Sequence, residues 1–119
     1  MAAKTGQYVS MLLGQNLKQH QSNMKVVLIP HLKIRLKERK IPKSYPKIII
    51  ENHEEKYRDI DTEYNIVVRN MEYNGKLRPM AVAYAIIGTE VLAVTIYPTS
   101  RQEIENKLKR GRWVKNEEE

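Results

Sequence analysis

Apolar and polar residues follow two different periods along the chain, and these periods predict where its helices and strands lie. A β-type run, Lys25–Ile29, stops at Pro30, and the charged stretch 31–41 that follows has the spacing of a helix. Proline suits the first turn of a helix because that turn makes no use of the missing N–H. A second helix is predicted over 45–53, where a serine cap precedes a proline, although the isoleucine run inside it would also suit a strand.

In the second half of the chain, polar and apolar residues alternate, which is typical of strands in a sheet. The alternation predicts a short edge strand and three longer strands, over 56–59, 64–73, 76–87 and 90–97. Asn74-Gly75 and Gly88-Thr89 separate the long strands as tight turns, and Asn-Gly is a favoured sequence for a two-residue hairpin loop. We therefore expect the three long strands to be antiparallel neighbours.

The remaining segments set the boundaries of a single domain. A Ser-x-x-Glu capping box predicts a last helix over 100–110, which a glycine then stops. Residues 1–24 are polar and are interpreted as an N-terminal appendage, partly helical or flexible. The domain proper is assigned to 25–111, and 112–119, basic and then acidic, is interpreted as a C-terminal tail.

If both turns have two residues, they fix which side chains share each face of the sheet. One face, called here the mixed face, carries Asn65, Val67, Arg69, Met71, Arg78, Met80, Val82, Tyr84, Ile86, Val91, Ala93, Thr95 and Tyr97. The other, called the alanine face, carries Tyr64, Ile66, Val68, Leu77, Ala81, Ala83, Ala85, Leu92, Val94 and Ile96. Small residues let helices approach closely, so the helices are expected on the alanine face. The predicted fold is α+β, an antiparallel sheet of three to five strands with two or three helices on one face.

Charge narrows the classes of partner. The chain has 119 residues, a net charge of +7 and a sequence pI near 9.6, which suits a polyanion such as RNA or DNA, although a solvated lysine-rich surface would look the same. Cysteine is absent, which excludes disulfides and thiol chemistry. No apolar run is long enough for a membrane helix, and no histidine pair has a metal-ligand spacing. We expect a cytoplasmic protein without metal, cofactor or membrane contact.

The helix over 31–41 carries an anomaly. On a helical wheel Lys33, Lys37 and Lys40 lie on one side. His31 and Arg35 lie opposite, where a core helix normally has leucine. Two interpretations remain open. The pair is either part of a functional site or a buried polar anchor whose counterion is Glu38, Glu51 or Asp59.

The order of these features resembles a known family. His31-x-x-x-Arg35-x-x-Glu38-Arg39-Lys40-Ile41, two hairpins and then Val94-Thr95-Ile96-Tyr97-Pro98 are similar to small domains of the RelE/ParE/BrnT toxin superfamily. The resemblance covers about residues 25–100, and Lys40 stands where that pattern has glycine. It implies helices against an antiparallel sheet and kinship with toxin–antitoxin mRNA endonucleases, although a fold does not establish an activity.

Metal-independent RNA cleavage defines the candidate site residues. Histidine can carry a proton near neutral pH, and arginine can stabilise charge that develops on a phosphate. Two sets follow: His31, Arg35 and Arg39 on the first helix, and basic or aromatic residues on the open mixed face and the helix after it. The predicted catalytic residues are His31, Arg35, Arg39, Arg69 and Tyr97. The predicted nucleic-acid-binding residues are Arg69, Arg78, Tyr84, Arg101, Lys107, Lys109, Arg110 and Arg112.

The leading hypothesis is thus a toxin-like RNA-binding protein, with metal-independent endoribonuclease activity as its candidate chemistry. The alternative is a non-catalytic nucleic-acid-binding or dimeric interaction module on the same fold. The partners considered are RNA or a ribosome, an antitoxin protein and a second copy of the chain.

Overall fold

A computed structural model describes residues 24–116 of the chain. Six strands and three helices follow one another as β1 Lys25–Leu28, α1 Pro30–Arg39, α2 Tyr45–Glu51, β2 Glu55–Asp59, β3 Asn65–Tyr73, β4 Lys76–Ile87, β5 Glu90–Pro98, α3 Arg101–Lys109 and β6 Trp113–Lys115. The strands form one sheet in the order β1-β5-β4-β3-β2-β6. The predicted α+β class is confirmed. The sheet has six strands instead of three to five and is mixed, because β1 runs parallel to β5.

The helix anticipated at residues 31–41 is present as α1. Pro30 occupies its first turn, and Leu32 and Leu36, one turn apart, are each 1% exposed and face the sheet. The helix ends at Lys40, whose φ of 57° is left-handed and lets the N–H of Ile41 bond the Leu36 carbonyl at 2.9 Å. Lys40 thus performs the helix-ending task for which glycine is the usual residue.

The register of the first hairpin is as predicted, and that of the second is as predicted only in the half next to its turn. Strand β3 pairs with β4 from Tyr73 opposite Lys76 to Asn65 opposite Tyr84. Between β4 and β5 the register shifts, because Tyr84 pairs with Ala93 and Ala83 with Thr95. One extra residue in β5 makes a β-bulge and moves every later side chain of that strand to the opposite face.

The helices do not all lie on the alanine face, and this part of the predicted fold was wrong. Helices α1 and α2 cover the mixed face, where their apolar residues form one core with the strands: Leu32, Leu36, Ile41, Ile49, Ile50, Val67, Met80, Val82, Tyr84, Val91, Ala93 and Ile96. Of the three described helices, α3 alone belongs to the core of the alanine face, which comprises Tyr57, Ile66, Val68, Ala81, Ala83, Ile104 and Trp113. The alanines leave room there for large rings, not for two helices.

The stretch interpreted as a tail contains the last strand. Trp113–Lys115 pairs antiparallel with β2, so β2 is an inner strand and not the predicted edge. Trp113 is 1% exposed and stacks on Tyr57 with ring centres 5.5 Å apart. The predicted appendage up to residue 23 and the acidic end 117–119 lie outside the described residues. No helix within 24–116 is long and apolar enough to cross a bilayer.

Candidate nucleic-acid interface

The row His31, Arg35, Arg39 runs along one side of α1, with successive members one turn apart. His31 is exposed and Arg35 is half-buried, so the interpretation of these two as a buried polar anchor was wrong. Leu32 and Leu36 face inward instead of these two residues. Within residues 24–116 no ion pair joins either side chain to a carboxylate.

Arg39 has a clear structural partner. Its Nη1 donates to the carbonyl oxygen of Ile96 at 3.5 Å, in the part of β5 that continues beyond its pairing with β1. The backbone carbonyl of Arg39 accepts a 2.9 Å bond from the hydroxyl of Tyr73. Arg39 therefore ties the end of α1 to the edge of β5 and to the last residue of β3.

Tyr73 also contacts a second predicted site residue. The guanidinium carbon of Arg78 lies 5.8 Å from the centre of the Tyr73 ring. The Nε of Arg78 is buried and has no hydrogen-bond partner in the described part of the chain. The structure thus brings Arg39 and Arg78, which the sequence had assigned to different sets, to one tyrosine that the sequence analysis missed.

Uncompensated positive charge lies on the layer formed by α1, α2 and their connection, residues 30–51, called here the basic layer. It contains seven Lys or Arg and two Glu, a net charge of +5 against +7 for the whole chain. Lys33, Lys37, Lys40, Lys43 and Lys47 are all exposed. No lysine of the layer forms an ion pair within the described residues. Its charge is therefore available to a ligand.

Three members of the second predicted set are separated. Tyr84 is fully buried beneath α1 and α2, so its assignment to nucleic-acid binding was wrong. Arg69 donates to the Asn52 carbonyl at 2.8 Å and lies 3.7 Å from the Glu54 carboxylate. Tyr97 lies on the alanine face because the bulge in β5 reverses it. The catalytic set proposed from the sequence is consequently not assembled as one site.

Arg101, at the start of α3, forms an ion pair with a carboxylate of β2. Its Nη2 lies 2.8 Å from Oε1 of Glu55, which also accepts a 2.5 Å bond from the Tyr57 hydroxyl. Burial raises the pKa of Glu55, but the hydrogen bonds from Arg101 and Tyr57 outweigh it and leave that pKa below the usual value. Burial and the bond to Glu55 raise the pKa of Tyr57 to about 12. These three groups form a structural network.

Arg112 is likewise bound to a carboxylate. Its Nε donates to Oδ1 of Asp59 at 2.9 Å and lies 3.5 Å from Asp61. Asp59 is 4% exposed and also accepts from two backbone N–H groups and from the Trp113 indole. Burial opposes ionisation of Asp59, but the bonds from Arg112, Thr62 and Trp113 outweigh it and lower its pKa to about 2.

The other basic residues near the end of α3 form a smaller surface. Lys107 and Arg110 line a cleft of about 250 Å³ together with Tyr97, Asn106, Thr99 and Glu103. Lys107 lies 5.0 Å from the centre of the Trp113 ring. Lys109 and Arg110 are exposed. Cations at a helix C-terminus also complement the helix dipole, which is a sufficient structural reason for their position.

Comparison of the chain with protein-family models, with curated proteins and with solved structures gave no match. In residues 24–116 no three His, Asp or Glu side chains are grouped as metal ligands. What the geometry defines is a basic helical layer, with Arg39, Tyr73 and Arg78 at one end of it. The signal that could have located this layer is the lysine density of residues 30–51, while Tyr73 gave no signal beyond its place in a strand.

Proposed function

We propose that this protein is a toxin-like RNA-binding protein that holds the phosphate backbone of RNA on its basic layer. The observation that carries the proposal is the uncompensated charge of residues 30–51, seven Lys or Arg against two Glu. Cations that neutralise phosphates release condensed counterions, so such a surface binds nucleic acid with little dependence on sequence. The remaining predicted arginines mostly face carboxylates of the protein itself, which supports the layer as the binding surface.

The test is the salt dependence of RNA affinity. Binding of a labelled single-stranded RNA is measured by fluorescence polarisation between 50 and 200 mM salt, for the native chain and for K33Q/K37Q/K40Q. Each lost phosphate contact on a single strand should reduce the slope of log affinity against log salt by about 0.7, so the triple variant should lose about 2. The matched control, K25Q/K76Q/K115Q, removes three exposed lysines outside the layer. Equal losses in both triple variants, or binding independent of salt, would refute the proposal.

A second candidate is metal-independent cleavage of the bound RNA, favoured by the guanidinium of Arg78 over the Tyr73 ring, next to the end of α1 whose backbone Tyr73 bonds at Arg39. In such a reaction a base removes the proton of the 2′-hydroxyl of the substrate while its oxygen attacks the phosphorus, the bond to the 5′-oxygen breaks, and that oxygen receives a proton from an acid. Arginines would stabilise the charge on the phosphorane, and His31 or Tyr73 would transfer protons.

Cleavage is tested with RNA in excess EDTA, with and without ribosomes. A toxin-like nuclease should cut RNA, lose the activity in R39A and R78A proteins that remain folded, and arrest growth when expressed. Binding without cleavage would identify the non-catalytic module instead. An antitoxin protein and a homodimer remain part of the proposal as partners, and sedimentation at two concentrations tests the second.

A further inference from the structure

A groove on the outward side of α1 has a composition different from the rest of the basic layer. It has a volume of about 510 Å³ and is lined by Lys33, Ile34, Leu36, Lys37, Ile41 and Lys43. We call it the lysine-rimmed groove. Its base is aliphatic and all of its charged lining residues are lysines.

The base of the groove is held by the core. Leu36 is 1% exposed and Ile41 is 4% exposed, and the hydrogen bond between their backbones fixes the end of α1 beneath the cavity. Of the three aliphatic residues that line the groove, Ile34 alone projects into solvent, at 55% exposed. An apolar centre within a polar rim is the usual anatomy of a protein–protein contact site, where a few residues provide most of the affinity.

The charges and shape of the groove decide what fits it. Residues 1–23 of the chain itself contain two lysines and no acidic residue, so they do not complement three lysines. The same face of a second copy would oppose lysine to lysine. RNA would satisfy the lysines, but the lining offers no aromatic ring on which a base could stack and would leave the aliphatic base uncovered.

We propose that the lysine-rimmed groove is a docking site for an acidic segment of a partner protein. An aliphatic side chain of that segment packs on Ile34, Leu36 and Ile41, and neighbouring Asp or Glu residues pair with Lys33, Lys37 and Lys43. Lys33, Lys37 and Lys43 also belong to the basic layer proposed for RNA, so the acidic segment and RNA would compete for these lysines, and the docking is tested without nucleic acid.

The experiment uses the full chain as bait for a phage-displayed library of random 12-residue peptides. The selected peptides should share at least two Asp or Glu next to Leu, Ile or Val. A synthetic peptide of that consensus should bind the native chain and lose at least tenfold in affinity to Ile34→Ser and to K33Q/K37Q/K43Q. Leu77→Ser is the matched control, since Leu77 is also an exposed aliphatic residue, at 72%, but lies in β4 outside the groove. It should bind as the native chain does.

Four outcomes would overturn the inference. They are a selection without a consensus, a consensus without acidic residues, equal binding to Ile34→Ser and the native chain, and a tenfold loss of RNA affinity in Ile34→Ser. The last would assign the groove to nucleic acid. A second copy of the chain could also occupy the groove through its acidic end 117–119. A chain that stays monomeric in sedimentation at the bait concentration excludes this occupant. Self-association that E117Q/E118Q/E119Q abolishes would show that the occupant is the second copy and not a partner protein.

Discussion

Asp59 and Arg112, 53 positions apart in the chain, are joined by a 2.9 Å hydrogen bond from Nε of the arginine to Oδ1 of the aspartate. The bond joins the end of β2 to the start of β6, because Asp59 is the last residue of β2 and Arg112 directly precedes β6. The other carboxylate oxygen accepts from the indole of Trp113 at 3.3 Å. A basic residue that looked like a ligand contact in the sequence is therefore part of the fold.

Replacement of Asp59 by Asn should destabilise the protein. The amide cannot accept all four bonds of the carboxylate and leaves buried donors without an acceptor, which should cost about 2 kcal/mol of the free energy of unfolding. Urea unfolding followed by Trp113 fluorescence measures the change. Asp61→Asn is the matched control, since Asp61 faces the same arginine at 3.5 Å but its side chain is 69% exposed. An equal loss in both variants would contradict the role assigned to burial.

The same group predicts an acid dependence of stability. The pKa of Asp59 is about 2 in the folded chain against an ordinary value of 3.8. A lowered folded pKa means that the stabilisation is complete above the unfolded pKa and is lost as the pH falls from about 5 to about 2. Thermal unfolding at pH 2 to 7 should show a drop in this window that is smaller in Asp59→Asn. A parallel drop in the variant would assign the acid sensitivity to other carboxylates.

The elements that could be predicted from the sequence are those that depend on residues close together in the chain. Alternation and the Asn74-Gly75 turn predicted the β3–β4 register, and Pro30 with the helical spacing of residues 31–41 predicted α1. The bulge in β5 was not predictable, because Val94-Thr95-Ile96-Tyr97 alternates equally well in either register. That single extra residue moves Tyr97 to the alanine face, away from Arg69 and Arg78.

The assignment of helices to faces failed for a related reason. Three small alanines suggest close packing of a helix, but two of them, Ala81 and Ala83, share their core with Tyr57 and Trp113, which come from distant segments. Ion pairs such as Arg101 with Glu55 also join residues far apart in the chain. Local patterns therefore identified the basic residues but not which of them keep their charge free.

Shortening single side chains of α1 to alanine should destabilise the protein on the buried face of the helix and not on its exposed face. Leu36 is 1% exposed between α1 and the sheet, and Leu36→Ala should cost about 2–5 kcal/mol by leaving a cavity. Ile34, two residues earlier and 55% exposed, should cost less than about 0.5 kcal/mol when changed to Ala. Denaturant midpoints of the two variants measure this difference. Similar losses would mean that Ile34 is covered in solution.

Tyr73 should act on RNA binding through its ring and not through its hydroxyl. The hydroxyl bonds only the Arg39 backbone among the described residues, while the ring lies beneath the guanidinium of Arg78. Tyr73→Phe should therefore lower the free energy of unfolding by about 1 kcal/mol and leave RNA affinity within twofold. Tyr73→Ala should also weaken RNA binding several-fold, because the guanidinium of Arg78 loses the ring against which it lies. Tyr45→Phe is the matched control, as it removes a hydroxyl that bonds the Glu72 carbonyl at 2.6 Å. Polarisation titrations at one salt concentration compare the three proteins with the native chain. A tenfold loss of affinity in Tyr73→Phe but not in Tyr45→Phe would show that the Tyr73 hydroxyl contacts the RNA itself.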